Sequence, residues 1–351
     1  MFIGYRCIIM YHNASLMQWF INDRDKIFIP AHAEIDLTNI CNQDCFYCNS
    51  KEFRTAQPVQ MHYSNYITLL DQLSQWRNHS PTSYGTLHTI TYPGGGEPTL
   101  LKGYEKVIEH TIDLGFLTSL TTNGSYLEPL YTNMPIDKLR KIAWVGVDLD
   151  SADPETYETI RNSTTKHSLF NKVIANINML VKLGVNVDIK VLLSDYNVNP
   201  QSIIDLFELA LSLGVRMLYF RPAILNDKLF ELYPSTVDFI RSSSERFHMP
   251  AKINISKQQN RTYNRCHQMF QFPTFSADKN IYLCCENKGN AEFSLGNWID
   301  NDIRELWQSQ MHWDIYNNID TGMCKPCRPN KNNNEMQSII EENRMLECLY
   351  M

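Results

Sequence analysis

Strand-like and helix-like segments alternate along this chain from Ala33 to Pro222, and this alternation restricts the fold more than any other feature. Three of the helix-like segments have apolar residues at helical spacing and stop at a glycine. Consecutive strand–helix units predict a parallel sheet with right-handed crossovers. Six units are fewer than the eight of a closed α/β barrel, so we predict an α/β fold with an open, partial (β/α)6 barrel. The six predicted strands are Ala33–Thr38, Leu87–Tyr92, Phe116–Thr122, Ala143–Asp150, Val185–Ser194 and Val215–Pro222.

The pattern changes after Pro222, and we place a domain boundary near Ala251. From there the chain is rich in cysteine, asparagine and aromatic residues, and FSADKNIYLCC has the pattern of a β-hairpin. The run RPNKNNNE predicts a solvated loop, and the final sixteen residues predict a helix. We therefore expect an N-terminal extension over residues 1–32, the barrel over 33–250, a small α+β domain over 251–330, and a C-terminal loop and helix over 331–351.

The composition restricts the partners and the compartment. The 351 residues carry a net charge of −6, which gives no basic field for a nucleic acid or an anionic membrane. No apolar run approaches the roughly 20 residues that cross a bilayer, and no signal-peptide cleavage site follows the N-terminus. We expect a cytoplasmic protein with neither nucleic acid nor membrane as a partner. In that reducing compartment its ten cysteines favour metal ligands or free thiols over disulfides.

Three cysteines, Cys41, Cys45 and Cys48, lie within the eight residues CNQDCFYC. Thiolates select soft metals, and zinc and an iron–sulfur cluster are the two candidates. Structural zinc requires four ligands, of which His32 or His62 could supply the fourth. A cubane cluster has four irons, so three cysteines would leave one iron open to a substrate or cofactor. Both sites remain possible from these residues alone.

The same motif, with an aromatic residue directly before its third cysteine, resembles the signature of the radical S-adenosylmethionine (SAM) superfamily. The resemblance implies that Cys41, Cys45 and Cys48 hold a [4Fe–4S] cluster whose open iron is chelated by the amino and carboxylate groups of SAM. It also implies that an electron, delivered by a donor such as flavodoxin or ferredoxin, cleaves SAM into methionine and a 5′-deoxyadenosyl radical. That radical would take a hydrogen atom from the substrate, and Tyr47 would lie against the adenine.

Later strands end in further motifs that resemble the SAM pocket of this superfamily. In YPGGGEP, glycines allow close approach of the backbone and a carboxylate complements the methionyl amine. Asp148 stands where the family usually has a serine and could bind a ribose hydroxyl, while Arg161 could pair with the SAM carboxylate. A turn residue at Asn123 and a surface arginine at Arg161 are the alternatives. The resemblance implies SAM contacts, besides Tyr47, for Gly95, Gly96, Glu97, Asn123, Asp148, Arg161, Asn197 and Arg221.

A second set of cysteines lies in the last quarter of the chain. One C-x2-C pair and two distant cysteines would suffice for a four-cysteine zinc site. The spacing C-x17-C followed by CKPC also resembles the Twitch form of the SPASM accessory domain. That resemblance implies one auxiliary [4Fe–4S] cluster on Cys266, Cys284, Cys324 and Cys327. The adjacent Cys285 is a candidate hydrogen-atom donor to a substrate radical.

Together these features predict a radical SAM enzyme of the oxidoreductase or epimerase type. One substrate class is an aminocyclitol, sugar or nucleoside that is dehydrogenated or epimerised in a biosynthetic pathway. The other is a ribosomally made peptide that is epimerised, crosslinked or otherwise matured. No segment has the pattern of a leader-peptide-binding domain, and the stretch before Ala33 is short, so we favour the small molecule. Outside the enzymes, the alternative is a zinc-binding interaction protein.

Overall fold

The computed structural model describes residues 13–77, 84–162, 169–223, 228–254, 260–325, 327 and 329–341; for residues 228–233 and 341 only the backbone is described. The first twelve residues of the predicted N-terminal extension and the last ten of the predicted C-terminal helix lie outside these ranges.

Ten strands within the described residues form one sheet, in the order β10–β9–β8–β1–β2–β3–β4–β5–β6–β7. Strands β1 to β7 pair in parallel, and β8 joins the other side of β1, also in parallel. The two edge strands do not pair, so the sheet is open, as predicted for a partial barrel. The strands are β1 (His32–Ile35), β2 (Thr89–Tyr92), β3 (Leu117–Thr122), β4 (Trp144–Asp148), β5 (Val187–Leu193), β6 (Met217–Pro222), β7 (Ala251–Ile253), β8 (Thr274–Phe275), β9 (Asn280–Tyr282) and β10 (Ser294–Asn297).

The six predicted strands are all present, and the predicted hairpin is the antiparallel pair β8–β9. β7 is a seventh parallel strand that begins at Ala251, where the sequence suggested a boundary. Because β8 pairs with β1, the C-terminal hairpin continues the barrel sheet rather than forming a separate sheet. The proposed domain bounds themselves stay a prediction.

Helices occupy most of the connections, and the three helices predicted to stop at a glycine end one or two residues before it. The helices are α1 (residues 13–22 of the described chain), α2 (Lys51–Ala56), α3 (Tyr63–Arg77), α4 (Tyr104–Asp113), α5 (Glu128–Asn133), α6 (Ile136–Leu139), α7 (Pro154–Arg161), α8 (Leu169–Lys182), α9 (Pro200–Leu213), α10 (Lys228–Arg246), α11 (Ile303–Leu306), α12 (Gln310–Asn318) and α13 (Asn330–Glu341). No helix in these ranges is both long enough and apolar enough to span a membrane.

The two faces of the sheet differ in polarity because successive side chains of a strand point to opposite sides. In β1, Ala33 and Ile35 are fully buried in the apolar core that the helices share. Glu34 alternates with them, and the strand register places it beside Thr91, which in turn lies beside Ser119. The Thr91 and Ser119 hydroxyls are 2.8 Å apart. The face away from the helices is therefore the polar, inner face of the partial barrel.

The loop predicted over RPNKNNNE is wrong, because helix α13 begins at Asn330. Asparagine has a low helix propensity, but tertiary hydrogen bonds outweigh it here. Asn333 is fully buried, and its Oδ1 accepts a bond of 3.1 Å from the backbone N–H of Gln268. The Oδ1 of Asn334 accepts bonds of 2.9 Å from the backbone N–H and the hydroxyl of Thr262. Asn330 and Asn333 thus lie on the buried face of this helix, while Asn332 and Asn334 are half-buried.

Candidate active site

The cysteine loop, residues 41–48, follows β1 at the carboxyl edge of the parallel sheet. Its three cysteines are partly buried thiols. Burial raises the pKa of Cys41 to about 12, so its thiol is protonated when it has no metal or cation to stabilise the thiolate. Two arginines lie beside its thiols: Arg161 Nη1 is 3.9 Å from Cys45 Sγ, and the Arg54 guanidinium lies beside Cys48. Soft donors with nearby positive charge suit an anionic metal–thiolate centre.

The glycine turn, Gly94–Gly96, follows β2 and packs directly against the chain that leads into Cys41. The Gly96 N–H donates to Thr38 O at 2.7 Å. A Cβ at Gly96 would lie 2.0 Å from Ile40 O, so no other residue fits this approach. The structure therefore brings the predicted Gly95 and Gly96 next to the cysteine loop, while their contact with SAM stays a prediction.

Glu97 ends the glycine turn as a buried carboxylate that joins two strand ends. Its Oε1 accepts bonds from the Thr99 and Thr122 hydroxyls, both at 2.6 Å, and its Oε2 accepts the Asn123 N–H at 2.7 Å. Burial raises its pKa, and these donors oppose that rise. Glu97 is thus held in one orientation between β2 and β3. In the predicted contact, the SAM amine would be one more hydrogen-bond donor to the Glu97 carboxylate.

Asn123 follows β3 and connects that strand to the cysteine loop. Its Nδ2 donates to Asn42 Oδ1 at 2.8 Å, and its Oδ1 accepts from the Ser125 N–H and hydroxyl. Asn42 Nδ2 also donates to Ser125 Oγ at 3.0 Å. The three polar side chains form a closed network. Asn123 therefore has a structural role at the predicted site, and its contact with SAM remains untested.

Arg161 lies at the end of α7 beneath the cysteine loop, with its side chain only 8% exposed. Its Nη2 forms a 2.6 Å ion pair with Asp150, and its Nη1 lies 3.9 Å from Asp148. Arg221 Nη2 approaches Asp148 from the other side at 3.5 Å. The structure thus brings the predicted Asp148, Arg161 and Arg221 together. Asp150 was not among the predicted site residues. Its spacing from Asp148 in VDLD nevertheless places both acids on one face of the predicted strand Ala143–Asp150.

The remaining predicted SAM contacts differ in their surroundings. Asn197 is fully buried, its Oδ1 accepts the Ser194 N–H, and its Nδ2 donates to the carbonyls of Asp150 and Leu192. Its amide therefore fixes the loop after β5. Tyr47 lies half-buried on the cysteine loop. For both residues the SAM contact stays a prediction.

The four cysteines of the second set interact with one another. Burial raises the pKa of Cys266 to about 12, and negative charge on Cys327 and Cys324 adds to this rise. Burial and the Cys266 thiol likewise raise the pKa of Cys284. Cys266, Cys284, Cys324 and Cys327 therefore lie close enough to interact electrostatically, and their binding of one cluster stays a prediction.

Polar side chains surround this second set. Asn333 Nδ2 donates to Cys266 Sγ at 3.4 Å, Asn287 Nδ2 donates to Cys284 Sγ at 3.6 Å, and the Tyr263 hydroxyl lies 3.6 Å from Cys327 Sγ. Within the described residues, no three Cys, His, Asp or Glu side chains converge so as to hold a single metal ion. A cubane cluster makes a different demand, because each thiolate binds a different iron.

An ion pair that the sequence did not reveal lies behind the glycine turn. Lys288 Nζ lies 2.6 Å from Asp36 Oδ2 and donates to Gly94 O at 3.1 Å. Burial raises the pKa of Asp36 to about 6, and the Lys288 charge opposes that rise. The alternation of AEIDLT could have placed Asp36 on the inner face, but no local signal indicates Lys288 as its partner.

Comparisons with known proteins agree with this geometry. A family model described as the radical SAM superfamily matches residues 35–210, which is half of the chain. A GTP 3′,8-cyclase from Acaryochloris marina is 29% identical over 208 residues, or 57% of this chain and 59% of that protein. An S-adenosylmethionine-dependent nucleotide dehydratase from Selenomonas ruminantium is 29% identical over 125 residues, or 35% of this chain and 40% of that protein. The chain thus spans about half the length of these curated relatives.

Solved structures share the fold over most of the chain. SuiB from Streptococcus suis, bound to S-adenosylmethionine, superposes with a TM-score of 0.64 at 12% identity and covers 89% of this chain and 75% of that one. Native anSMEcpe with bound AdoMet superposes with a TM-score of 0.62 at 14% identity and covers 92% of this chain and 98% of that one. The matched family range contains both the cysteine loop and the glycine turn. This chain therefore belongs to the radical SAM superfamily.

Proposed function

We propose that this protein cleaves SAM reductively and takes a hydrogen atom from a small molecule of the aminocyclitol, sugar or nucleoside class. The observation that carries the first part is the packing of the glycine turn and Glu97 against the residues that lead into the cysteine loop, where the Glu97 N–H donates to Ile40 O at 2.8 Å. Members of this superfamily use SAM and a [4Fe–4S] cluster. When bound here, the cluster would supply the electron that splits SAM into methionine and a 5′-deoxyadenosyl radical.

The residues of this chain would hold and orient those groups. Cys41, Cys45 and Cys48 would each bind one iron, and Arg161 beside Cys45 would offset the negative charge of the thiolates. Glu97, whose carboxylate is held by three hydrogen bonds, would accept a further hydrogen bond from the methionyl amine of SAM. An electron donor such as flavodoxin or ferredoxin is the expected partner for reduction.

The inner face of the sheet supports a polar small-molecule substrate. Lys190 Nζ donates to the Thr121 hydroxyl at 2.9 Å, and the Tyr219 hydroxyl accepts from Asn254 Nδ2 at 3.1 Å. Hydroxyls, an amide and an ammonium suit the many polar groups of a sugar or nucleoside. The names of the two curated relatives also state nucleotide substrates. The reaction would be a dehydrogenation or an epimerisation at one C–H bond.

The second cysteine set would hold an auxiliary [4Fe–4S] cluster on Cys266, Cys284, Cys324 and Cys327. With four protein thiolates this cluster would have no open iron for substrate, so it would carry an electron or stabilise the fold. Cys285 would serve as a hydrogen-atom donor if the reaction is an epimerisation. A Cys285→Ser variant would then form 5′-deoxyadenosine but not the epimerised product.

Anaerobic reconstitution tests the proposal. We expect about eight irons per chain, visible absorption that bleaches with dithionite, and 5′-deoxyadenosine formed from SAM. Serine at Cys41, Cys45 or Cys48 should abolish SAM cleavage. Serine at Cys324 and Cys327 should leave cleavage partly intact and block product. A colourless zinc protein that forms no 5′-deoxyadenosine would contradict the enzyme and favour a zinc-binding interaction protein.

The substrate class requires a separate experiment. Deuterated sugars, aminocyclitols and nucleosides are incubated with the reduced enzyme and SAM, and deuterium in 5′-deoxyadenosine is measured by mass spectrometry. We expect transfer from one of these small molecules. Transfer only from a ribosomally made peptide would contradict the proposed class and support a peptide-modifying enzyme.

A further inference from the structure

The bridging segment, residues 284–289, runs from the second cysteine set to the first. It begins at Cys284, and Glu286 Oε2 accepts a 2.9 Å bond from Asn49 Nδ2, one residue after Cys48. At its end, a Cβ on Gly289 would lie 2.4 Å from the ring of Phe53 in α2. The segment is therefore packed against Asn49 and Phe53, in the stretch that directly follows the cysteine loop.

Lys288 extends from this segment to the glycine turn. Its side chain is 7% exposed, and that of its partner Asp36, directly after β1, is fully buried. Burying an ammonium and a carboxylate has a large desolvation cost, and apolar side chains would often fill such a space with equal or greater stability. The buried Lys288–Asp36 pair therefore points to a role in positioning the neighbouring backbone rather than in stabilising the fold.

Gly94 O is the second acceptor of the Lys288 ammonium, at 3.1 Å. Gly94 has a φ of +89°, and the N–H of Gly96, two residues later, donates to Thr38 O. The turn is thus held from two sides: by the chain between β1 and the cysteine loop, and by a lysine from the C-terminal part of the chain.

We infer that Lys288 is a positioning residue for SAM, which fixes the glycine turn in the conformation that binds the methionyl group. The inference rests on the proposed function, because it assigns SAM to this turn. Lys288 lies outside residues 35–210, which the family model matches, so this contact ties the C-terminal part of the chain to the matched region. It would make the C-terminal region part of the SAM site.

The test replaces Lys288 with methionine and measures SAM binding to the anaerobically reconstituted protein by equilibrium dialysis. Loss of a charge-assisted bond to the turn should raise the Kd for SAM about tenfold, with kcat at saturating SAM nearly unchanged. Hydrogen exchange at the amides of residues 94–97 should accelerate even without SAM. Lys288→Arg should restore most of the affinity. Lys331→Met is the control, because Lys331 is 60% exposed in the same C-terminal region.

A double variant, Asp36→Asn with Lys288→Met, removes both buried charges and keeps the test valid if the single variant folds poorly. Weak SAM binding in this variant would support the inference, because no unpaired charge remains. Wild-type affinity in it, or an unchanged Kd in Lys288→Met, would overturn the inference while leaving the proposed function intact. A wild-type protein that neither binds nor cleaves SAM would instead overturn the proposed function.

Discussion

Arg161 is the residue that joins the cysteine loop to the buried acids below it. Asp150 has 2% of its side chain exposed, and burial raises its pKa while the Arg161 charge opposes that rise. Removing one partner of such a pair leaves an uncompensated charge in the interior. Arg161 therefore links the stability of the fold to the electrostatics of the thiols.

We predict that Arg161→Met lowers the free energy of unfolding by about 3–5 kcal/mol, since it strands the Asp150 carboxylate. Urea denaturation followed by circular dichroism measures the change. Arg241→Met is the matched control, because Arg241 is 63% exposed and pairs with Asp238, which is 78% exposed, so its loss should have little effect. Equal midpoints for Arg161→Met and the wild type would show that the pair adds no net stability.

Individual site residues were predictable only where the signal is local. The three cysteines and the glycine turn follow consecutive strands, so the parallel topology alone placed them together. Asp36 and Lys288 are separated by 252 positions, and nothing near either residue indicates the other. Lys288 reaches the glycine turn from a distant part of the chain and was therefore missed. The predicted residues that follow consecutive strands do lie near one another, and their contacts with SAM stay a prediction.

At the scale of elements, regular periodicity determined which segments were predicted well. The parallel strands are short apolar runs that must be buried on the helix side, and the helices between them have one clear apolar face. Helix α13 lacks that signal at its start, because asparagines occupy its buried positions. Its helical state depends on partners in the chain around Thr262 and Gln268, which local propensity does not contain.

We predict that Asn333→Ala destabilises the protein by about 1–3 kcal/mol, because the buried Gln268 N–H loses its acceptor. The same change removes the donor to Cys266 Sγ, so the iron content after reconstitution should also fall toward four per chain. Thermal unfolding and iron analysis are the two measurements. Asn332→Ala, one residue earlier in α13, is the control and should change neither. Normal stability and iron content in Asn333→Ala would contradict a role for this helix at the second cysteine set.

At the scale of the whole molecule, an aromatic cluster joins the two ends of the described chain. Trp19 of α1 stacks on Trp313 of α12, with ring centroids 5.7 Å apart. Phe270 contacts both tryptophan rings, and its ring stacks on that of His312 with the centroids 4.1 Å apart. No local pattern in the sequence predicts such contacts, because they depend on β8 returning to the side of β1. The cluster thus fixes the C-terminal region against the start of the barrel.

His312 makes the stability of this cluster depend on pH. It is fully buried against Phe270 and Trp307, and burial lowers its pKa to about 3. An unfolded histidine has a pKa near 6.5, so below that pH the unfolded chain binds a proton that the folded chain excludes. The stability is therefore complete above pH 6.5 and is lost as the pH falls, by about 1.4 kcal/mol per pH unit.

We predict that His312→Gln, which keeps an acceptor for the Gln308 N–H, removes the His312 contribution to this dependence and leaves that of the buried His267. Between pH 7.5 and pH 5 the wild type should lose about 2 kcal/mol more unfolding free energy than the variant. Urea denaturation at the two pH values measures the difference, and His248→Asn, at an exposed histidine, should behave like the wild type. If His312→Gln and the wild type lose the same stability on acidification, then His312 takes up its proton in the folded state. That result would contradict a pKa lowered by burial against Phe270 and Trp307.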